Sequence, residues 1–212
     1  MLHQHLLHPK NPMNLVKIYT ENIFLIALFT GMRQGEVCGL QWECVDFDNG
    51  TILIDKQLQS LRGKVRGDKE KYALVPTKNG KERTITAAPF VMDLLWKTKQ
   101  AQDANRKDFD SDFLENDLVF TDEIGNRVTP QALYRAFKLV VTELNMKDVR
   151  FHDLRHSYAV VSLKSGDDVK TVQENLGHAT ASFTLDVYGH VTDQMKRDSA
   201  ARMEQFIRSV NQ

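Results

Sequence analysis

The stretch FHDLRHSYAVVSLKSGDDVKTVQENLGHATASFTLDVYGHV, residues 151–191, sets the character of the chain. Its apolar residues recur at helical spacing, and its breaks fall at Ser165-Gly166-Asp167 and at Gly177. That punctuation predicts helices over about 151–165, 168–176 and 180–188, with a further one over 193–210. His152 and Arg155 lie three apart, so a helix projects both to one side. One can accept or donate a proton, and the other can grip a pair of phosphate oxygens. His178 stands at the Gly177 turn, and Tyr188 follows ten residues later. Taken alone, a tyrosine among Phe183, Leu185 and Val187 is most simply a packing residue. His152 and His156, four apart, invite a zinc reading. Asp153 stands where the metalloprotease pattern requires Glu, and no cysteine cluster completes a metal shell, so neither metal nor other cofactor is expected.

Moving toward the N-terminus, TGMRQGEV (residues 30–37) is a second concentration of chemistry. Asn14 to Thr30 reads as a buried helix stopped by Gly31, and a short helix follows from Arg33 to about Leu40. Arg33 at a helix start suits an anion, because unpaired amides and a guanidinium point the same way. Glu36 shares its helical face and can hold the guanidinium, although an Arg–Glu pair at this spacing is equally an ordinary surface feature. Between the two concentrations the pattern changes to alternation. VDFDNGTILID (45–55) turns at Asp-Asn-Gly and predicts a hairpin. YALVPT (72–77) and ERTITA (82–87) predict a second one, joined by a turn at Lys78 to Lys81. Gln59 to Lys71, basic and carrying Gly63 and Gly67, reads as a loop. Pro89 starts a helix to about Asn105, LVFT (118–121) reads as a short strand, and Thr129-Pro130 opens another helix. The fold class is therefore mainly α with a small antiparallel β-sheet (α+β).

Composition narrows the function classes. Lys+Arg and Asp+Glu both number 28, giving a net charge of zero, which counts mildly against a nucleic-acid partner. The charge is uneven, however: residues 56–83 carry nine Lys/Arg against three Asp/Glu. A basic segment on a neutral protein can still face phosphates. Two cysteines, Cys38 and Cys44, call for no disulfide framework and suit a reducing cytoplasmic setting. No apolar run approaches the roughly 18–20 residues of a membrane span. Residues 1–13 lack the layout of a secretory signal and read as a linker remnant.

The clusters acquire meaning together. Arg33 with Glu36, then a turn lysine, His152-x-x-Arg155, His178 and Tyr188, in that order, strongly resemble the tyrosine recombinase (phage integrase) family. TGMRQGEVCGLQW and HDLRHSYA joined to LGHATASFTLDVYGHV carry the resemblance, which runs from about Asn22 to His190. The step from His178 to Tyr188 looks similar to integrases of conjugative transposons. The resemblance implies a catalytic domain over 14–190 that cleaves and rejoins double-stranded DNA through a 3′-phosphotyrosyl intermediate. It implies Tyr188 as nucleophile, Arg33 and Arg155 as clamps on the phosphate, and His178 as a hydrogen-bond donor to it. His152 would accept the tyrosine proton or serve as a further phosphate ligand. A hairpin-turn lysine would act as general acid, with Lys78 the better match and Lys81 the alternative, and Glu36 would orient Arg33. It further implies a monomer that assembles as a tetramer on synapsed DNA, accessory directionality proteins, and a bacterial cytoplasmic setting at the nucleoid. Family members carry an N-terminal helical domain on the other face of the DNA, and the residues before Asn14 are too few to supply it. The amphipathic segment 191–212, with Val191, Met195, Met203, Phe206, Ile207 and Val210 apolar, either packs on its own domain or docks on a neighbouring protomer. A type IB topoisomerase shares this chemistry, and a non-catalytic DNA-binding or assembly module descended from such an enzyme is the rival from another class.

Overall fold

A computed structural model describes residues 22–61, 71–78, 80–177 and 193–210. Helix α1 runs through 22–30, the earlier part of the helix expected from Asn14 lying outside the described residues, and it ends where Gly31, at φ 65°, returns its amide to the Ala27 carbonyl. After a three-residue step, 31–33, comes α2, Gln34–Gly39, and then a 3₁₀ turn, Trp42–Cys44. Five short strands follow: β1 Val45–Asp46, β2 Thr51–Ile54, β3 Lys56–Ser60, β4 Tyr72–Pro76 and β5 Arg83–Thr86. The remaining helices are α3 Pro89–Phe109, α4 Pro130–Glu143, α5 Phe151–Ser165, α6 Val169–Leu176 and α7 Asp193–Val210. The mainly helical architecture with small antiparallel sheets is as the sequence implies. None of the described helices is long and apolar enough to cross a membrane.

The chain divides into two compact units, one ending at Tyr158 and the other starting at Ala159, inside α5. The first unit holds a core of Ile23, Ile26, Val37, Ile52, Ile85, Leu95 and Leu133, each at most 2% exposed. An edge-to-face trio ties three of its elements together. Phe24 of α1 lies 5.4 Å from Phe137 of α4 and 6.2 Å from Phe151 at the start of α5, and Phe137 and Phe151 are 5.5 Å apart. Such pairs add to simple burial, and this one fixes the residue next to His152. In the second unit Ala159, Leu163, Val172 and Leu176 are buried. There Asp168 caps α6 by accepting the Thr171 amide at 2.9 Å, and left-handed Gly177 closes it. Met203, Phe206 and Ile207 of α7 are exposed.

The strands depart from expectation in one respect. The Asp-Asn-Gly turn does join β1 to β2, with Val45 opposite Ile52. However, β4 and β5 are not partners: β5 pairs with β2 and β4 with β3, giving separate sheets of three and two strands. Only Asp55 separates β2 from β3, and the chain leaves the first sheet at that point. Gln59 and Ser60, read from sequence as loop, complete β3, and the Leu61 amide reaches the Lys71 carbonyl at 2.9 Å to close that pair. LVFT makes isolated bridges through Leu118 and Thr121 in place of a strand. Helix α3 extends four residues beyond Asn105, its last turn anchored by Arg106 on Asp103 and Glu115. The expected helix 180–188, and His178 and Tyr188 with it, lie outside the described residues.

The packing of α2 against β3 depends on glycine. A Cβ on Gly39 would stand 2.7 Å from the Leu58 amide nitrogen and 2.9 Å from the Gln57 Cα, while one on Gly35 would stand 3.2 Å from the Leu58 carbonyl oxygen. The helix therefore sits directly on strand backbone that cannot retreat. Gly39→Ala is expected to destabilise the fold by about 1–3 kcal/mol, as overpacking does, and Gly35→Ala by less. Urea denaturation of both variants against wild type checks the order.

Candidate active site

Arg33 is the N-cap of α2, with extended backbone (φ −73°, ψ 152°). Glu36, one turn on, folds back toward it. Its Oε2 accepts the Arg33 amide at 2.8 Å and its Oε1 accepts Arg33 Nη1 at 2.8 Å. A carboxylate at this position satisfies an orphan amide of the helix start. The same carboxylate takes a second guanidinium from another element: Arg83 Nη1 donates to Oε1 at 3.0 Å and Nη2 to Oε2 at 2.6 Å. Side-chain exposure is 1% for Glu36, 9% for Arg83 and 24% for Arg33, so the anion lies innermost and Arg33 faces outward. Burial pushes the Glu36 carboxyl up, but hydrogen bonds and charge from Arg83, with the amide and charge of Arg33, bring it down to about 2.

Arg155 arrives from α5. It lies in helical phase with Phe151 and Ala159, is 2% exposed, and donates from Nη1 to the Gly31 carbonyl at 2.7 Å. That carbonyl belongs to the glycine turn two residues before Arg33. The turn is stiffened by Thr30, whose Oγ1 donates to the Ile26 carbonyl and accepts the Met32 amide. Two arginines 122 positions apart in sequence thus meet at one turn. His152 is exposed on the neighbouring face of α5, its ring edge-to-face with His156 at 4.8 Å. Its pKa is lowered by partial desolvation first, then by the positive neighbours His156, Arg155, Arg33 and Arg150. At neutral pH this favours the uncharged imidazole, a form that can accept a proton. The start of α5 repeats the device of α2, because Asp153 accepts the Arg150 amide at 2.8 Å and its guanidinium at 2.9 Å.

Lys78 is exposed in the turn between β4 and β5, and among the described residues it forms no hydrogen bond or ion pair; Lys81 is exposed in the same turn. The turn closes on itself, with the Gly80 amide bonded to the Thr77 carbonyl and Thr77 Oγ1 donating to the Lys81 carbonyl. Arg83 is the member of this cluster that sequence reading missed. Its signal was its phase: in strand β5 it alternates with Ile85 and Ala87 on the buried side, where a cation requires an anion.

The model of the phage integrase family matches residues 4–195. The chain belongs to the phage integrase family. A XerC-like tyrosine recombinase of Caldanaerobacter subterraneus subsp. tengcongensis is 28% identical over 183 residues, 84% of this chain and 47% of that protein. Tyrosine recombinase XerC of Pediococcus pentosaceus is 33% identical over 177 residues, 80% of this chain and 49% of that one. The chain spans about half the length of these curated relatives. Among solved structures, the Tn1549 transposon integrase in complex with circular intermediate DNA has a similar fold, with a TM-score of 0.69 at 20% identity. That similarity covers 93% of this chain and 66% of the other.

The buried carboxylate gives this family member a defined acid response. Because the folded-state pKa of Glu36 lies below its ordinary value of 4.5, its contribution to stability is complete above that pH and is lost as pH falls toward 2. Glu36→Gln is expected to cost on the order of 3 kcal/mol at neutral pH. The difference from wild type narrows between pH 4.5 and about 2, and chemical denaturation at a series of pH values measures it.

Proposed function

We propose that this chain is the catalytic part of a site-specific DNA recombinase, one that cuts and reseals DNA through a covalent bond to Tyr188. The observation that carries the reading is the meeting of Arg33 and Arg155 at the Gly31 turn, with neutral-leaning His152 beside them, in a member of the phage integrase family. Two guanidiniums and an imidazole suit a phosphodiester passing through a more highly charged transition state.

In this reading Tyr188 attacks the phosphorus. The bond from its oxygen to phosphorus forms as the bond to the 5′-oxygen breaks, leaving a 3′-phosphotyrosyl ester and a free 5′-hydroxyl. An unperturbed tyrosine loses its proton near pH ~10, so a base is needed at neutral pH, and His152 takes that part. Arg33 and Arg155 hold the non-bridging oxygens, His178 donates a hydrogen bond to the phosphate, and Lys78 gives its proton to the leaving 5′-oxygen. Glu36 orients Arg33. Resealing runs the same path backward and conserves the ester energy, so neither nucleotide nor metal is consumed. Residues 14–190 form the catalytic portion, double-stranded DNA is the substrate, and the working assembly is a tetramer on synapsed DNA. The exposed Met203, Phe206 and Ile207 support docking of 191–212 on a neighbouring protomer.

A nicked duplex that loses a short fragment on cleavage traps the covalent complex. The full-length protein is expected to form an adduct mapping to Tyr188 by mass spectrometry, absent in Tyr188→Phe and slowed roughly 10²–10³-fold in Arg33→Ala or Arg155→Ala. An adduct on another residue, or one that persists in Tyr188→Phe, refutes the assignment. With His152 as the base, cleavage should fall off in acid only below its ordinary pKa of 6.5, desolvation first and then the charged neighbours having shifted the limb downward. A pH–rate profile in which His152→Gln keeps that limb unchanged assigns the base elsewhere.

A further inference from the structure

Glu36 is shared unequally. Arg83 engages it as a fork, one nitrogen on each oxygen, whereas Arg33 engages Oε1 through Nη1 and Oε2 through its backbone amide. Arg83 is the more buried of the two guanidiniums and Arg33 the more open. A bidentate guanidinium is the stronger and more directional partner of a carboxylate. Of the three charges, two are positive and one negative. With Glu36 and Arg33 alone, the pair would be neutral, and an anion arriving at Arg33 would meet the Glu36 carboxylate at close range.

Arg83 also has a place in the chain that gives its contact a second effect. It opens β5, opposite Ile54 of β2, and it comes five residues after Lys78. The outgoing arm of the Lys78 turn is therefore fastened through Glu36 to the same helix cap that carries Arg33.

We propose that Arg83 is a positioning residue of the reaction site: by occupying both oxygens of Glu36 it keeps that carboxylate from cancelling Arg33 toward a phosphate, and it ties the strand leaving the Lys78 turn to the Arg33 cap. The inference rests on the reading of Arg33 as a phosphate ligand. Arg83 touches no substrate in this scheme, and the effect proposed for it passes through Glu36.

A double-substitution cycle tests it. Single-turnover cleavage of the nicked duplex is measured for full-length wild type, Arg83→Met, Arg83→Lys, Glu36→Gln and Arg83→Met/Glu36→Gln, with thermal unfolding and duplex affinity followed in parallel. Arg83→Met is expected to slow cleavage roughly 10–100-fold, the usual range for a supporting partner of a site residue, with duplex affinity near wild type. Arg83→Lys is expected to recover part of that loss. The double variant holds no buried carboxylate to strand, so it stays folded even where Arg83→Met does not, and it is expected to cleave as Glu36→Gln does. A double variant much slower than Glu36→Gln, or an Arg83→Met protein at wild-type rate beside an inert Arg33→Ala, overturns the inference alone. Wild-type cleavage by both Arg33→Ala and Tyr188→Phe overturns the site reading and the inference with it.

Discussion

Desolvation of one carboxylate governs this part of the molecule. Glu36 is 1% exposed, and a buried anion without partners would cost far more than a marginally stable domain can bear. Here the anion has a backbone amide and two guanidiniums, which is why its acidity rises in spite of burial. The consequence is geometric as much as energetic. Satisfying Glu36 requires the first residue of β5 and the residue that caps α2 to stand at hydrogen-bonding distance from the same two oxygens. The sheet register and the helix start are thereby fixed against each other. The close seating of Gly35 and Gly39 on β3 removes the remaining freedom of α2, so Arg33 is held on a support that cannot slide.

A different constraint shapes the imidazole. His152 is partly desolvated and sits beside Arg155, Arg33 and Arg150, and both effects disfavour its charged form. Positive charge gathered around a histidine discourages its protonation. The same positive potential that would draw a phosphate keeps His152 able to receive a proton before the phosphate arrives. A bound phosphate would reverse part of that effect, because its negative charge favours the imidazolium. In the proposed reaction, proton uptake by His152 and charge build-up on the phosphate would support each other, which is the coupling that acid–base chemistry at a phosphodiester needs.

The helices were legible because their signals are local. Gly31, Pro89, Thr129-Pro130, Ser165-Gly166-Asp167 and Gly177 mark starts and stops through backbone conformation alone, and the observed bounds of α4, α5 and α6 follow them closely. Strand pairing was legible only where the short Asp-Asn-Gly turn between β1 and β2 forced it. Alternation tells which face a residue takes but not which strand lies beside it, so the link between β4 and β5 read as a hairpin although each strand pairs elsewhere. Arg33, Glu36, His152 and Arg155 stood out because cations and histidines beside helix starts are unusual. Arg83 did not, since its partner lies 47 residues away and only the folded chain brings the two together. Its phase with Ile85 and Ala87 was a usable clue. An arginine on the inward side of a short strand implies a buried acid, and Glu36 was the acid already suspected of a supporting role.

Net charge says little about a local site, for a physical reason. Opposite charges sum to zero over 212 residues, but at physiological salt an anion senses charges only within about 8 Å. In the acidic stretch 103–123, Asp103 and Glu115 engage Arg106 and Asp122 ties its own turn, while the arginines of α2, β5 and α5 gather around Glu36 and the Gly31 turn. Low-dielectric burial strengthens that local field further, because Arg155 at 2% exposure and Arg83 at 9% are poorly screened by water. An anion reaching the Gly31 turn therefore meets a concentrated positive site on a molecule that is neutral from a distance. Such a surface gives little long-range attraction and strong short-range selection, which favours recognition by geometry over indiscriminate adhesion to any polyanion.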